Sequence, residues 1–319
     1  MDDRILRSVP QLSAEMQHFE EYLAGAFAGV SYVERAARDL VTQGGKRLRP
    51  ALVITSAMLG NYDRDRVIPL AAAIETMHAA TLVHDDVIYG AETRRDRPAL
   101  HTISGNHVAI YTGDYMLARS LRMLAACKLP AEEMSRLAYV IEQICSGDIA
   151  QYMGRSSIPG YRTYLRRIIG KTGLLFAAAC ATGAYAGQLE EQSQKLLWHF
   201  GLRLGAAFQI RDDLLDVESI GSKIGKPTGR DLMDGIITLP LLLASSATDF
   251  RTELQRFLGG DRNEVKAAEL ILWARRSGSV ARAKDILENN LTKCSNMLNK
   301  LPESEARQGL QAFVEILAI

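Results

Sequence analysis

The chain has 319 residues, 47% of them hydrophobic and 24% charged, with a formal net charge of +1. This composition is globular, with apolar material for a core, and the near-zero charge supplies no global field to attract nucleic acid. Aromatic residues make up 7%, too few for base-stacking platforms, and Cys127, Cys145, Cys180 and Cys294 form no CxxC pair or His/Cys cluster, which suits buried thiols in a reducing cytoplasm.

Taken in order, the pattern reads helical almost throughout. Residues 12–28 are amphipathic. Residues 33–42 lead into Gln43-Gly44-Gly45-Lys46-Arg47-Leu48-Arg49-Pro50, where a glycine pair precedes three cations. Residues 52–59 and 67–89 are apolar helices on either side of a turn at 60–63. Arg94-Arg95-Asp96-Arg97-Pro98 is a basic loop. Helical patterning resumes over 108–127 and 131–153, pauses in a linker at 154–160, and continues over 161–189 and 190–217. Residues 219–235 are a Gly-rich polar loop. Shorter helices follow from Thr238, with a break at Gly259-Gly260-Asp261 and a last helix after Pro302. The uncharged stretch 172–189 approaches membrane-spanning length. Its Ala and Gly content, with Thr182, Tyr185 and Gln188, fits a close-packed buried helix better. Met1-Asp2-Asp3-Arg4 carries no signal-peptide pattern. Strand alternation and fixed-period repeats are absent. Length alone would allow two domains; the expectation is one all-α domain over 1–319, a bundle of ten or more helices.

Two acidic stations stand in apolar surroundings. In Phe208-Gln209-Ile210-Arg211-Asp212-Asp213-Leu214-Leu215-Asp216, Asp212 and Asp216 are four apart and share a helix face, and Asp213 lies three residues from Asp216. Packed carboxylates repel, so the group favours a multivalent cation with hard oxygen ligands. Gln209 adds an amide one turn before Asp213. The second station is Asp85-Asp86 within Leu82-Val83-His84-Asp85-Asp86-Val87-Ile88. Lys46, Arg47, Arg49, Arg94, Arg95 and Lys171 are the basic stations. Cations beside glycines together with carboxylates on apolar helices suit a diphosphate, gripped by the Arg fork and bridged to Asp by Mg²⁺. No GxxxxGK[ST] sequence occurs, which excludes a P-loop.

From about residue 30 to its end the chain resembles the trans-isoprenyl diphosphate synthases, the polyprenyl synthetase family. The resemblance is carried by Gly44-Gly45-Lys46-Arg47-Leu48-Arg49-Pro50, His84-Asp85-Asp86 with Arg94-Arg95, Gly113-Asp114, Lys171-Thr172, Gln209 with Asp212-Asp213-Leu214-Leu215-Asp216, Gly225-Lys226-Pro227 and Thr238-Leu239-Pro240. It implies a helical bundle around a deep apolar cavity, with the two acidic motifs facing each other across its mouth. Asp85, Asp86, Asp212, Asp213 and Asp216 would hold Mg²⁺, three ions in all, on an allylic diphosphate such as farnesyl diphosphate. Lys46, Arg49, His78 and Arg95 would hold isopentenyl diphosphate. Arg94, Lys171, Thr172, Gln209 and Lys226 would hold the allylic diphosphate. Asp85, Asp86, Asp212, Asp213 and Lys171 would carry the catalysis. His78 and His84, six residues apart, make a poor zinc pair; His78 fits a diphosphate contact and His84 a structural hydrogen bond. The resemblance further implies a homodimer, or a heteromer with a small subunit, and a peripheral membrane contact for product release.

The departures from the family pattern are specific. Tyr89 stands where the first motif normally ends in Asp, Asp96 where Gly is usual and Ile236 where Lys is frequent, and Leu317-Ala318-Ile319 lacks a basic tail. A phenol with a pKa near 10 is a poor Mg²⁺ ligand, which leaves two readings: a slower but competent enzyme, or a non-catalytic subunit of a heteromeric synthase. The intact second motif and cation set favour the enzyme. A terpene cyclase would not need Gly44-Gly45-Lys46-Arg47-Leu48-Arg49. Ala80 and Thr81, one turn before Asp85, are small where short-chain members carry an aromatic. With Met77 as a deeper wall, this implies a long product of hexaprenyl to decaprenyl class.

Overall fold

The computed structural model describes residues 2–95, 97–218, 229–260 and 262–319. In order these form α1 (Asp3–Ser8), α2 (Leu12–Ala26), α3 (Tyr32–Thr42), α4 (Leu48–Ala57), α5 (Arg64–Tyr89), β1 (Thr93–Arg94), β2 (Arg97–Pro98), α6 (Leu100–Ala126), α7 (Ala131–Met153), α8 (Tyr161–Ile168), a π-helical turn (Ile169–Gly173), α9 (Leu174–Ala186) and α10 (Glu191–Glu218). The C-terminal part holds α11 (Arg230–Met233), α12 (Leu239–Ala244), α13 (Thr248–Leu258), α14 (Glu264–Arg276), α15 (Ser279–Leu298) and α16 (Glu305–Glu315). The all-α expectation holds, with more than ten helices. By contact the chain forms two compact units. The first takes the described residues of 1–139, 175–201 and 297–316, and the second those of 140–174, 202–296 and 317–319.

Three local differences from the sequence reading have clear causes. The basic loop contains a two-residue antiparallel ladder, Thr93 opposite Pro98 and Arg94 opposite Arg97, too short to leave an alternating pattern. Helix α6 begins at Leu100 rather than 108; Gly105, with φ 81° and ψ 161°, a conformation nearly closed to other residues, separates this first segment from the continuous periodicity that follows. The stretch read as one helix over 161–189 is divided by the π turn. A turn of this kind inserts a residue into the helical ladder and occurs often at functional sites.

In the first unit, α5 packs along α6 and against α4, α2 and α3. Asp63 caps α5, its carboxylate accepting the Asp65 N–H at 3.0 Å. Gly90 ends it in the left-handed conformation (φ 62°), donating back to the Asp86 carbonyl. The first acidic pair therefore occupies a well-terminated last turn. Leu52, Val53, Ile54, Ile74, Met77, Phe19 and Phe27 are fully buried, each contributing about 1.5–3 kcal/mol of apolar burial. The uncharged stretch behaves as a buried helix. A Cβ at Gly183 would lie 2.2 Å from the Val53 carbonyl oxygen, and one at Gly187 2.4 Å from that of Ala57, so glycine is what lets this helix lie directly on the α4 backbone. In the second unit the core includes Tyr164, Ile210, Leu214, Phe250 and Ile271.

Candidate active site

The first unit concentrates cations. Arg49 lies with its guanidinium carbon 4.9 Å from the centroid of the Phe176 ring, and its Nε is buried without a hydrogen-bond partner. Burial pulls its pKa down to about 10, with Glu75 acting in the other direction. His78 is held well below the usual imidazole range, first by burial and then by the charges of Arg49, Arg95, Arg94 and Arg47. It is therefore neutral near pH 7, able to donate one hydrogen bond and accept another. Burial also lowers Arg95, Glu75 opposes the shift, and Arg47 and Arg94 add to it. Arg49 and Arg95, offset by Glu75 and set beside a neutral His78, form a cluster suited to an anion.

The glycine pair shapes this region. Arg95 donates to the Gly44 carbonyl, and a Cβ at Gly45 would lie 2.7 Å from the Arg95 guanidinium. Lys46 is exposed, whereas Arg47 is buried. Asp86, 6% exposed, accepts from Arg94 Nε at 3.0 and 3.2 Å through its two oxygens, so one proposed metal ligand and one proposed phosphate ligand are paired. Asp85 and Tyr89 are partly exposed on the same turn. His84 has the structural role expected of it. Its Nε2 is 3.3 Å from the Ile110 carbonyl and 3.2 Å from Asp114 Oδ1, and a Cβ at Gly113 would lie 2.3 Å from that nitrogen. The Gly113-Asp114 motif is thus the seat of His84. Of the residues expected to set chain length, Met77 and Ala80 are fully buried and Thr81 keeps some accessible surface.

The second unit concentrates carboxylates. Arg167, Lys171, Gln209, Asp212, Asp213, Asp231 and Ile236 line one cavity. Lys171 and Thr172 project from the π turn. Thr172 Oγ1 donates to Gln209 Oε1 at 3.0 Å, and Gln209 Nε2 donates to Asp213 Oδ1 at 3.2 Å. The other oxygen of Asp213 accepts from Tyr164 Oη at 2.8 Å and from the Leu239 N–H at 2.9 Å. The motif's carboxylates are therefore not equivalent: Asp213 is 3% exposed with both oxygens engaged by protein donors, while Asp212 is exposed at the cavity.

Burial raises Asp213 to about 6, helped by Asp231 and opposed by its hydrogen bonds. Burial raises Asp216 to about 7, followed by repulsion from Asp231, Asp213 and Asp212. Asp231 is raised by burial and by Asp212, while Lys171 and Arg167 pull it back. Among the described residues no three acidic, His or Cys side chains close into a complete metal cage. Mg²⁺ takes hard oxygen ligands and usually uses one or two carboxylates together with substrate phosphates and water. Lys226 and Asp96 lie outside the described residues.

Asp231, Arg167 and Tyr164 were not singled out from the sequence. Asp231 sits in a stretch read only as loop, with no spacing that ties it to Asp212. Glu75 did leave a signal, a lone carboxylate in the apolar run Ile74-Glu75-Thr76 that turns out to be 4% exposed.

Helices throughout, with a cluster of cations in one unit and a cluster of carboxylates in the other, fit the all-α isoprenoid synthase class. The polyprenyl synthetase family model matches residues 30–272. The chain is 36% identical over 286 residues to heptaprenyl diphosphate synthase component 2 of Bacillus subtilis, covering 89% of this chain and 82% of that protein. It is 37% identical over 284 residues to nonaprenyl diphosphate synthase of Mycobacterium tuberculosis, covering 86% and 83%. The crystal structure of a decaprenyl diphosphate synthase from Rhodobacter capsulatus superposes with a TM-score of 0.92 at 29% identity, over 99% of this chain and 98% of that one. This chain belongs to the polyprenyl synthetase family of prenyltransferases.

Proposed function

We propose that this protein is a Mg²⁺-dependent trans-polyprenyl diphosphate synthase that condenses isopentenyl diphosphate with an allylic diphosphate primer to a long-chain product. The observation that carries the reading is a pair of clusters: in one unit Arg49, whose Nε is buried without a hydrogen-bond partner, with Arg95 and His78, all three lowered in pKa, and in the other Asp213, Asp216 and Asp231, all three raised. Each cluster suits one partner, a diphosphate for the cations and a divalent metal for the carboxylates.

Lys46, Arg49, His78 and Arg95 bind the isopentenyl diphosphate. Arg94, Lys171, Thr172 and Gln209 orient the allylic diphosphate, with Lys226 assigned to the same group by sequence. Asp85, Asp86, Asp212 and Asp216 are the metal ligands, and Asp213 holds Gln209 and the start of α12 in place around them. Mg²⁺ supplies charge stabilisation to the departing diphosphate, strongest in the transition state. Arg94 and Lys171 add fixed positive charge to the same leaving group. Small Ala80 and Thr81 support a long product, as do relatives named for heptaprenyl and nonaprenyl products. Labelled isopentenyl diphosphate and farnesyl diphosphate, incubated with the chain in the presence and absence of Mg²⁺, test the reading. Long-chain product only with Mg²⁺ supports it.

A second reading, a weakly active or non-catalytic subunit of a heteromeric synthase, is favoured by Tyr89 and by the name component 2 of two relatives. Helix α6 also leaves Ile110 and Leu121 exposed, eleven residues apart on the segment after Gly105, with Ile103 and Tyr111 exposed as well, apolar surface suited to a second copy or to a separate subunit. Tyr89→Asp separates the readings. If the chain is a competent enzyme limited by its phenol, the variant needs less Mg²⁺ and has a higher kcat, because a carboxylate both ligates the metal and offsets its charge. Coincident rate-against-Mg²⁺ curves would show Tyr89 to be no handicap. No turnover by either form favours the subunit reading.

The division of cations has its own test. Arg49→Ala should raise the KM for isopentenyl diphosphate with a smaller effect on the primer's, since a phosphate contact made in ground and transition states is mainly uniform binding. A rise confined to the primer would reverse the assignment.

A further inference from the structure

The sequence presents Lys46, Arg47 and Arg49 as three equivalent cations; the structure separates them. Arg47 is 7% exposed, and four of its five N–H donors are engaged within the protein. Nε and Nη2 form a fork on Glu20, at 2.7 Å to Oε1 and 3.0 Å to Oε2. Nη1 donates to Glu75 Oε1 at 2.9 Å, and Nη2 also donates to the Val41 carbonyl at 2.6 Å. The guanidinium carbon lies 5.7 Å from the centroid of the Phe19 ring. Groups from α2, α3 and α5 thus converge on one side chain, which has little donor capacity left for a substrate.

We propose that Arg47 is a positioning residue for the isopentenyl diphosphate pocket: clamped between Glu20 and Glu75, it fixes the loop that presents Lys46 and Arg49. The proposal rests on the assignment of those two residues to isopentenyl diphosphate. Two observations beyond the hydrogen bonds support it. Arg47 adopts φ 50° and ψ 34° at the start of α4, a left-handed conformation costly for a residue with a Cβ and maintained only where the surroundings over-determine it. The clamp supplies that determination. The same loop is gripped at its other end, where Gly44 accepts from Arg95 and Gly45 leaves room for that side chain. Lys46 and Arg49 therefore sit on a backbone held at two points. Glu75 has a second effect, since its charge offsets Arg49 and Arg95. A shift of about 1 Å in such a platform is enough to lose much of its binding.

The test compares Arg47→Lys, Glu20→Gln and Arg49→Ala with the parent enzyme, measuring KM for isopentenyl diphosphate, KM for farnesyl diphosphate, kcat and Tm. Lysine keeps the charge but cannot reproduce a fork shared between two carboxylates. Arg47→Lys should raise the KM for isopentenyl diphosphate by about tenfold, with the farnesyl diphosphate KM and kcat within about twofold. Glu20→Gln should shift the same KM in the same direction by a smaller factor. Glu20 is 42% exposed at its side chain and is not among the residues assigned to substrate, so an effect confined to the isopentenyl diphosphate KM points to the Arg47 side chain that its carboxylate holds. If Arg47→Lys does not fold, Glu20→Gln decides by itself. A lower Tm with both KM values unchanged, or equal rises in both, overturns the proposal. If Arg49→Ala leaves the isopentenyl diphosphate KM unchanged, the pocket assignment fails and this proposal falls with it. If Arg49→Ala raises that KM while Arg47→Lys and Glu20→Gln do not, the assignment stands and the positioning role is refuted.

Discussion

Asp212→Ala abolishes turnover while the helices stay intact, a loss on the order of 10²-fold or more in rate. The expectation follows from where this carboxylate lies. Asp212 is exposed at the cavity that Lys171, Gln209 and Asp231 also line, on the same face of α10 as Asp216. On the proposed assignment of Asp212 to the metal, its loss would weaken stabilisation of the leaving diphosphate and lower kcat more than it raises KM. Asp213→Ala should behave differently. Asp213 accepts from Tyr164, Leu239 and Gln209, so its loss strands buried donors at about 1–3 kcal/mol each and lowers Tm as well as rate. Initial rates, circular dichroism and calorimetry on the two variants provide the comparison. Undiminished product formation by Asp212→Ala would remove this cluster from the metal site.

Thr81→Phe shortens the product to farnesyl or geranylgeranyl length while the early condensations continue. Thr81 lies one turn before Asp85 and retains accessible surface, its hydroxyl donating to the His78 carbonyl at 2.8 Å. On the proposed assignment, a growing chain whose diphosphate is held at the acidic pair would pass this turn. A phenyl ring here obstructs it, because packed interiors do not make room for extra carbons. Ala80→Phe is the less clean variant. Ala80 is fully buried, so the added ring should cost about 1–3 kcal/mol in overpacking and confound chain length with stability. Chromatography of the dephosphorylated products, read beside Tm, separates the two effects. A Thr81→Phe enzyme that still makes the parental length would place the limiting wall elsewhere.

The features legible in the sequence are those that depend on neighbours within a turn or two. The helical class followed from apolar periodicity, because a helix's face is set by residues three and four apart. The Asp212–Asp216 spacing placed carboxylates together for the same reason. The Ala and Gly content of 172–189 indicated close packing, and Gly183 and Gly187 do lie against the α4 backbone. Tertiary structure decided what each charged side chain meets. Glu20 and Glu75 stand 27 and 28 residues from Arg47, and only their arrival turns that residue from one of several basic stations into a buried clamp. Asp213 and Asp212 are adjacent in sequence, yet the approach of Tyr164 and Leu239, from 49 and 26 residues away, encloses the first and leaves the second at the cavity. Asp231 joins the acidic group, and Arg94 covers Asp86, through contacts that no local spacing encodes. Local periodicity specifies which face of a helix is buried. Whether a charge on that helix is matched, strained or left open to a ligand depends on long-range packing, because desolvation and pairing are properties of everything that surrounds the group.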